Sequence, residues 1–411
     1  MPIEQNQNRQ GPSLPQESRH WVNASIPRQR RFDWRELVIK TMNYTGALNL
    51  ARRISKSLEI RPGFATAWPR FRRVQNSKFL ILCYHGIGES GNPLSSAPSP
   101  ECFEAQMRFL RRNYRVVSLE EVCRELRSTS VSEPGIAITF DDGYRSAYTV
   151  AFSILQKYRL PATVYLTYDS VETDEVAWYD RAFLAMALTP GGELNLDLEG
   201  PLRFHLGTPE ERLRAALEVV AHLRTLPDSR RRDCCALLEK SVKLPRDALA
   251  NRLLTWEQVR TMQRAGITFG SHTLTHPVVS QLAPAELERE LADSMRLLEG
   301  KLESPVLDFA FPFGKASDCS LAAIEVLSRC GYRSAVTTVA GVNTPQVNPY
   351  ELRRLQVRPD GSLARFAFDV SRALLQVEEP RALNVLARDP SCAQQDQSPK
   401  EIGAAFGGHD A

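Results

Sequence analysis

"GIAITFDDGYRS", Gly135–Ser146, is the stretch that decides the fold. Its first half is a short apolar run and its second half is a turn. An apolar run of this length, bounded by turn signals, reads as a strand buried on both faces, as in a parallel sheet. At its end stand two like charges, Asp141 and Asp142. They repel each other, and desolvating them costs free energy. Either water solvates them in an ordinary turn, or something positive faces them. Neighbouring side chains of a strand point to opposite faces. A turn starting at Gly143 would bring both carboxylates toward one site.

The same rhythm continues on either side. Phe79–Tyr84, Ala162–Leu166, Ile267–Phe269, Val306–Phe311, Tyr332–Thr337 and Leu352–Val357 are further short apolar runs and read as strands. Between them the spacing turns helical, as in Tyr144–Tyr158, Pro284–Glu299 and Ser320–Cys330. Ser99-Pro100 is an N-cap followed by proline at the first helical position. Ser118–Glu121 and Thr255–Gln258 have the capping-box spacing. Gly266 and Gly331 are placed to end helices. Repeated βα units predict a mostly parallel sheet, open or closed into a barrel.

The flanks differ from this core. Residues 1–32 read as a disordered polar leader. Residues 33–77 form an N-terminal extension with helical spacing, basic and amphipathic over 33–59. A helix packed on the outside of the domain is the expectation there, with peripheral membrane contact as the alternative. The main domain is expected over 78–375, interrupted by a helical insertion at 169–251, with a loose tail at 376–411.

Composition narrows the function. The 411 residues are 43% hydrophobic and 24% charged, the balance of a soluble globular protein. A net charge of +4 gives no basic footprint for nucleic acid. No run approaches a membrane span. The sequence shows no signal peptide, so the expected location is cytoplasmic, possibly at the inner membrane face. The 8 cysteines show no CxxC and no regular framework, and read as reduced.

Function in a parallel α/β fold gathers at the C-terminal ends of strands. Four such ends carry unusual residues. Asp141-Asp142-Gly143 is the first, and "GSHTLTH", Gly270–His276, is the second. Only 7 histidines occur in the chain, and two of them, His272 and His276, fall within five residues. With Asp142 they make a three-ligand set for a divalent cation that leaves positions open for water. A cation there would favour ionised Asp142 and leave Asp141 free to take a proton. The third end is "FAFPFG", whose Phe311, Pro312 and Phe313 suit a sugar ring or an acyl group. The fourth is "CYHGIG", which puts Tyr84 and His85 at the end of the first strand.

On these motifs the chain resembles the polysaccharide deacetylases of the NodB-homology type. "TFDDG" matches the family's first motif and "SHTLTH" its second; "FPFG" matches part of the third, and "YHGI" and "ELRRLQV" are similar as well. The resemblance spans about 78–357. It implies a distorted (β/α) barrel of about seven parallel strands. It also implies removal of acetyl groups, mostly from N-acetylated glucosamine polymers, with zinc or a similar divalent ion such as cobalt, manganese or nickel. Carried over by residue, Asp142, His272 and His276 are the metal ligands and Asp141 the catalytic base.

Two departures stand out. Many members carry an arginine where this chain has Ala310, and a C-terminal Leu-x-His motif that supplies the general acid. No histidine lies between His276 and His409. The expectation is that His85 supplies the proton, and that Arg353 or Arg354 replaces the lost charge. The expected substrate is an N-acetylated glycan, met as a polysaccharide or a lipid-linked oligosaccharide precursor. Trp178, Tyr179 and Asp180 of the insertion are candidates for glycan contact. The alternatives are hydrolysis of another amide or an acetyl ester, or glycan binding without turnover.

Overall fold

The computed structural model describes residues 78–88, 97–128, 133–173, 177–245, 252–358 and 362–375. The expected leader 1–32, the extension 33–77 and the tail 376–411 lie outside the described residues. In chain order the elements are β1 (Phe79–Tyr84), α1 (Pro100–Asn113), β2 (Arg115–Val116), α2 (Leu119–Arg127), β3 (Gly135–Phe140), α3 (Ser153–Tyr158) and β4 (Thr163–Leu166). Then come α4 (Trp178–Leu188), β5 (Glu193–Asp197), β6 (Pro201–His205), α5 (Pro209–Thr225) and α6 (Asp228–Val242). The barrel resumes with α7 (Trp256–Arg264), β7 (Thr268–Ser271), α8 (Pro284–Glu288), α9 (Ser294–Leu302), β8 (Asp308–Ala310), α10 (Leu321–Cys330), β9 (Ser334–Val336), β10 (Arg354–Gln356) and α11 (Leu363–Leu375).

Seven parallel strands run in the order β10-β1-β3-β4-β7-β8-β9, with β2 attached to the start of β3. Leu352 and Arg354 close the ring. Val336 of β9 bridges Leu352 in parallel, and the Arg354 amide donates to the Val339 carbonyl. On the other side β10 pairs with β1, Arg354 opposite Ile81. The result is a nearly closed seven-stranded (β/α) barrel, as the resemblance implied.

The strands are buried on both faces because the barrel has two apolar layers. Leu80, Leu82, Tyr84, Ile136, Ile138 and Phe140 pack outward under the helices, with Phe103, Met107 and Leu110 of α1. Phe79, Ile81, Ala137, Tyr165, Ala310, Val336 and Leu352 form a separate inner cluster. This alternation is the strand's period of two, applied to both sides at once. It decides which residues at each strand end can face the mouth.

Local signals hold where they are strong. The Ser99 hydroxyl caps α1 by accepting from the Cys102 amide, with Pro100 opening the helix. Thr255 and Gln258 form a reciprocal capping box on α7, and Gly266 and Gly331 follow their helices with φ of 92° and 91°. At α2 only half of the expected box forms: Ser118 caps Glu121, whose own carboxylate is paired with Arg115. Two expected helices contain a π-helical segment, Ala147–Phe152 before α3 and Arg289–Asp293 between α8 and α9.

The insertion departs from expectation. It is not wholly helical, since β5 and β6 form an antiparallel hairpin between α4 and α5. Leu194, Leu196 and Leu198 alternate with polar residues, as do Leu202, Phe204 and Leu206. These residues join α4, α5 and α6 in a core of their own, including Ala182, Val219, Leu223, Cys235 and Leu238. The seven described cysteines carry no disulfide among the described residues.

Candidate active site at the barrel mouth

The ladder between β1 and β3 runs to its end, the Asp141 amide donating to the Tyr84 carbonyl at 2.9 Å. The chain then turns at Asp142 itself, φ 71°, one residue earlier than the glycine predicts, and Gly143 follows at φ 71°. Aspartate is one of the few residues that enters this left-handed region readily. A Cβ on Gly143 would also meet Leu166 at 3.0 Å. This turn places two adjacent carboxylates at one site, both buried, at 2% and 5% exposure.

The two have different partners. Asp141 takes a two-pronged ion pair from Arg354: Nη1 donates to Oδ1 at 2.7 Å and Nη2 to Oδ2 at 2.6 Å. Cys83 Sγ lies 3.5 Å from Oδ2 as a further, weak donor. Arg354 is fully buried and is fixed in turn, Nε donating to the Thr337 carbonyl at 2.8 Å and Nη1 to Thr139 Oγ1 at 3.2 Å. Burial by itself would raise the Asp141 carboxyl. The Arg354 charge and its hydrogen bonds outweigh that, and the net direction is down. Of the two arginines considered for the missing charge, Arg354 is the one on Asp141.

Asp142 has no such donor. Both of its oxygens are buried without a hydrogen-bond partner. What faces it is a pair of imidazoles, His272 Nε2 at 3.3 Å and His276 Nε2 at 3.4 Å, both toward Oδ1. Burial opposes its charge, yet the facing histidines hold the carboxyl well below the usual range. His272 Nδ1 is 2.7 Å from the Ala310 carbonyl. A carbonyl only accepts, so the proton is on Nδ1 and the Nε2 lone pair is turned to the site. This is the support that metal-binding histidines use. A buried carboxylate lacking donors, two aimed imidazole nitrogens and a backbone-fixed tautomer suit a divalent cation.

The histidines sit on a loop with two positive-φ residues, Thr273 at 69° and His276 at 59°. Thr273 Oγ1 accepts the His276 amide at 3.0 Å. The buried Glu290, in the π-helical segment before α9, binds the loop from below. Its Oε2 accepts the Leu274 and Thr275 amides at 2.8 and 3.0 Å, and its Oε1 accepts the Thr275 hydroxyl at 2.8 Å.

The remaining expected residues divide. His85 is exposed at the end of β1, a ring nitrogen within 4.8 Å of Cys83 Sγ and an Asp141 oxygen. Tyr84 does not face the mouth. It is 2% exposed, belongs to the outer layer against Phe103 and Phe140, and gives its hydroxyl to Gln106 at 2.9 Å. Phe311 is likewise core, fully buried against Phe309. Pro312 is buried in the turn that follows. Phe313 is half-buried and lies 5.1 Å, ring to ring, from His276. Strand-end position alone does not separate these five residues; which layer each one packs in does.

The insertion completes the wall. Tyr179 packs edge-on to His276 at 5.0 Å, and Trp178 lies 5.5 Å from Phe313. Arg224 of α5 sits over the Phe313 ring at 5.0 Å and pairs with Asp318. Tyr144 donates to Asp180 at 2.6 Å. Burial pushes the Asp180 carboxyl up to about 7, with the Tyr144 bond opposing and the Asp142 charge adding. Arg354 and Glu290 are the supporting residues that motif reading does not assign. Arg354 was at least a named alternative; Glu290 had no signal beyond its place beside the apolar stripe of its helix.

Comparison with known proteins agrees with this geometry. The family model of polysaccharide deacetylases matches residues 128–335, half of the chain. YxkH of Bacillus subtilis (strain 168), named as a polysaccharide deacetylase, is 25% identical over 303 residues, 73% of this chain and 78% of its own. The poly-beta-1,6-N-acetyl-D-glucosamine N-deacetylase of Escherichia coli (strain K12) is 30% identical over 98 residues, which is 23% of this chain and 14% of that protein. Among solved structures, the deacetylase PplD of Streptococcus pyogenes in complex with acetate superposes with a TM-score of 0.50 at 20% identity. That match covers 73% of this chain and all of PplD. Fold, motif order and family match converge: the chain belongs to the polysaccharide deacetylase family.

Proposed function

We propose that the protein is a metal-dependent hydrolase that removes N-acetyl groups from an amino-sugar glycan. The observation that carries this reading is the buried Asp142 carboxylate, without a hydrogen-bond donor and facing two imidazole nitrogens. Leaving such a charge buried and unpaired is costly. Asp142, His272 and His276 would hold the divalent cation, zinc being the ion best suited to this ligand set. When bound, such a cation polarises an acyl carbonyl and lowers the pKa of a nearby water.

The chain's own groups do the rest. Asp141 is kept ionised by Arg354 and takes the proton of the attacking water. Its Oδ1 is the less loaded oxygen, since Oδ2 also receives Cys83. His85, exposed beside Asp141, gives a proton to the leaving amine nitrogen. Phe313 and Tyr179 border the acetyl and sugar positions, and they exclude water from one side of the site. The Escherichia coli relative is named for a poly-N-acetylglucosamine substrate, which favours a β-linked N-acetylglucosamine polymer or its precursor here.

Acetate release from a panel of N- and O-acetylated oligosaccharides tests the reading. Turnover is expected on N-acetylated members. It should fall at least about 100-fold in Asp141→Asn and be lost in His272→Ala. Activity surviving both substitutions overturns the assignment.

A further inference from the structure

We infer that Glu290 is a positioning residue for the cation site, holding the loop that sets the spacing of His272 and His276. The inference rests on the cation-site reading above. Both histidines lie within five residues, and two non-glycine residues of that loop have left-handed backbone, Thr273 at φ 69° and His276 at φ 59°. Such a conformation persists where the surroundings over-determine it. Glu290 acts here together with Thr273 Oγ1, which accepts the His276 amide, and the Tyr168 and Asp169 amides, which donate to the Thr273 and Leu274 carbonyls. Glu290 is 2% exposed, and its carboxylate accepts two consecutive loop amides and the Thr275 hydroxyl, all within 3.0 Å.

The helix is shaped for this. The π-helical segment Arg289–Asp293 contains Glu290, and four residues on, Ser294 reaches back to Ser271 Oγ at 2.8 Å, at the end of β7. Glu290 and Ser294 thus grip the loop and the strand end that leads into it. His272 is fixed from β8 through Ala310. His276 Nδ1, by contrast, has no hydrogen-bond partner. Its placement therefore depends on its ring contacts and on its backbone, which Thr273 holds at the His276 amide and Glu290 holds one residue away at Thr275.

Zinc affinity of the metal-stripped protein, measured by competition with a chelator, tests this. Glu290→Ala is expected to weaken binding about 10- to 100-fold. Glu290→Gln keeps an acceptor for the two amides and should stay within about threefold. Thr275→Val removes one bond at a half-buried position. It should weaken zinc about 3- to 10-fold while the metal-free protein stays folded with only a small drop in melting temperature, a split that a merely structural role would not give. Unchanged affinity in folded Glu290→Ala overturns the inference. If that variant does not fold, unchanged affinity in Thr275→Val overturns it. If His272→Ala binds zinc as tightly as the parent, the cation-site reading itself fails instead.

Discussion

Asp141 and Asp142 are neighbours in the chain and opposites in the fold. On the β1 and β10 side of the mouth, Asp141 is saturated: an arginine fork covers both oxygens and a thiol adds a third contact. On the β7 side, Asp142 is as deeply buried and receives no hydrogen bond at all. The protein has solved the repulsion of two buried like charges on one side only. A charge held in place by Arg354 is suited to moving a proton. A charge left open among imidazoles is suited to a cation. The left-handed turn at Asp142 makes the division, by sending adjacent side chains to different partners within one site.

Substitutions on the two sides should therefore fail differently. The largest effect is expected for Asp141→Asn, a loss of about 100- to 10,000-fold in acetate release, checked by steady-state kinetics. Next is Arg354→Met, which leaves a buried carboxylate unpaired. Chemical denaturation should show a loss of about 3–5 kcal/mol. The same variant should move the acid limb of activity upward. With the arginine gone, burial raises the Asp141 carboxyl, so it is protonated at higher pH. The sign in the parent is the reverse. Asp141 is depressed by folding, so its contribution to stability is complete above its unfolded value of about 3.9. That contribution fades as pH falls from there through the lower folded value. The smallest effect is expected for Phe313→Leu, which loses ring contacts with His276 and Tyr179. It should raise KM about 2- to 10-fold with zinc affinity unchanged, as read by kinetics beside a binding titration.

Much of this was legible before the structure, and the illegible parts share a cause. The seven barrel strands were visible as apolar runs, and the acid pair and histidine pair were visible as polar residues at their ends. Patterns of period two and 3.6 are local, so they can be read locally. Which residue of a run faces which layer is not local. Tyr84 and His85 are consecutive, yet only His85 reaches the mouth; Arg353 and Arg354 are consecutive, yet only Arg354 turns to Asp141. A one-residue difference in parity reverses every such assignment. The partner of Asp141 comes from 213 positions along the chain and lies beyond the segment that the family model matches. Glu290 sits at a helical position that its pattern makes inward-facing, but nothing in the pattern says that it reaches the histidine loop. The β5–β6 hairpin was within reach, since its leucines alternate; the helical spacing on either side masked it.

Ala310 gains a meaning from the same comparison. Its side chain is core, and its carbonyl is the acceptor that fixes His272. The charge that the family resemblance implies at that position is supplied here by Arg354 of β10, which pairs with Asp141.

A zinc titration of the metal-stripped parent, Asp142→Ala and Asp141→Asn, with bound metal counted per chain, tests the division most directly. The parent and Asp141→Asn should each bind one ion per chain with similar affinity, while Asp142→Ala should bind none at the same concentrations. Equal binding by the parent and Asp142→Ala, or loss of binding in Asp141→Asn alone, would contradict it.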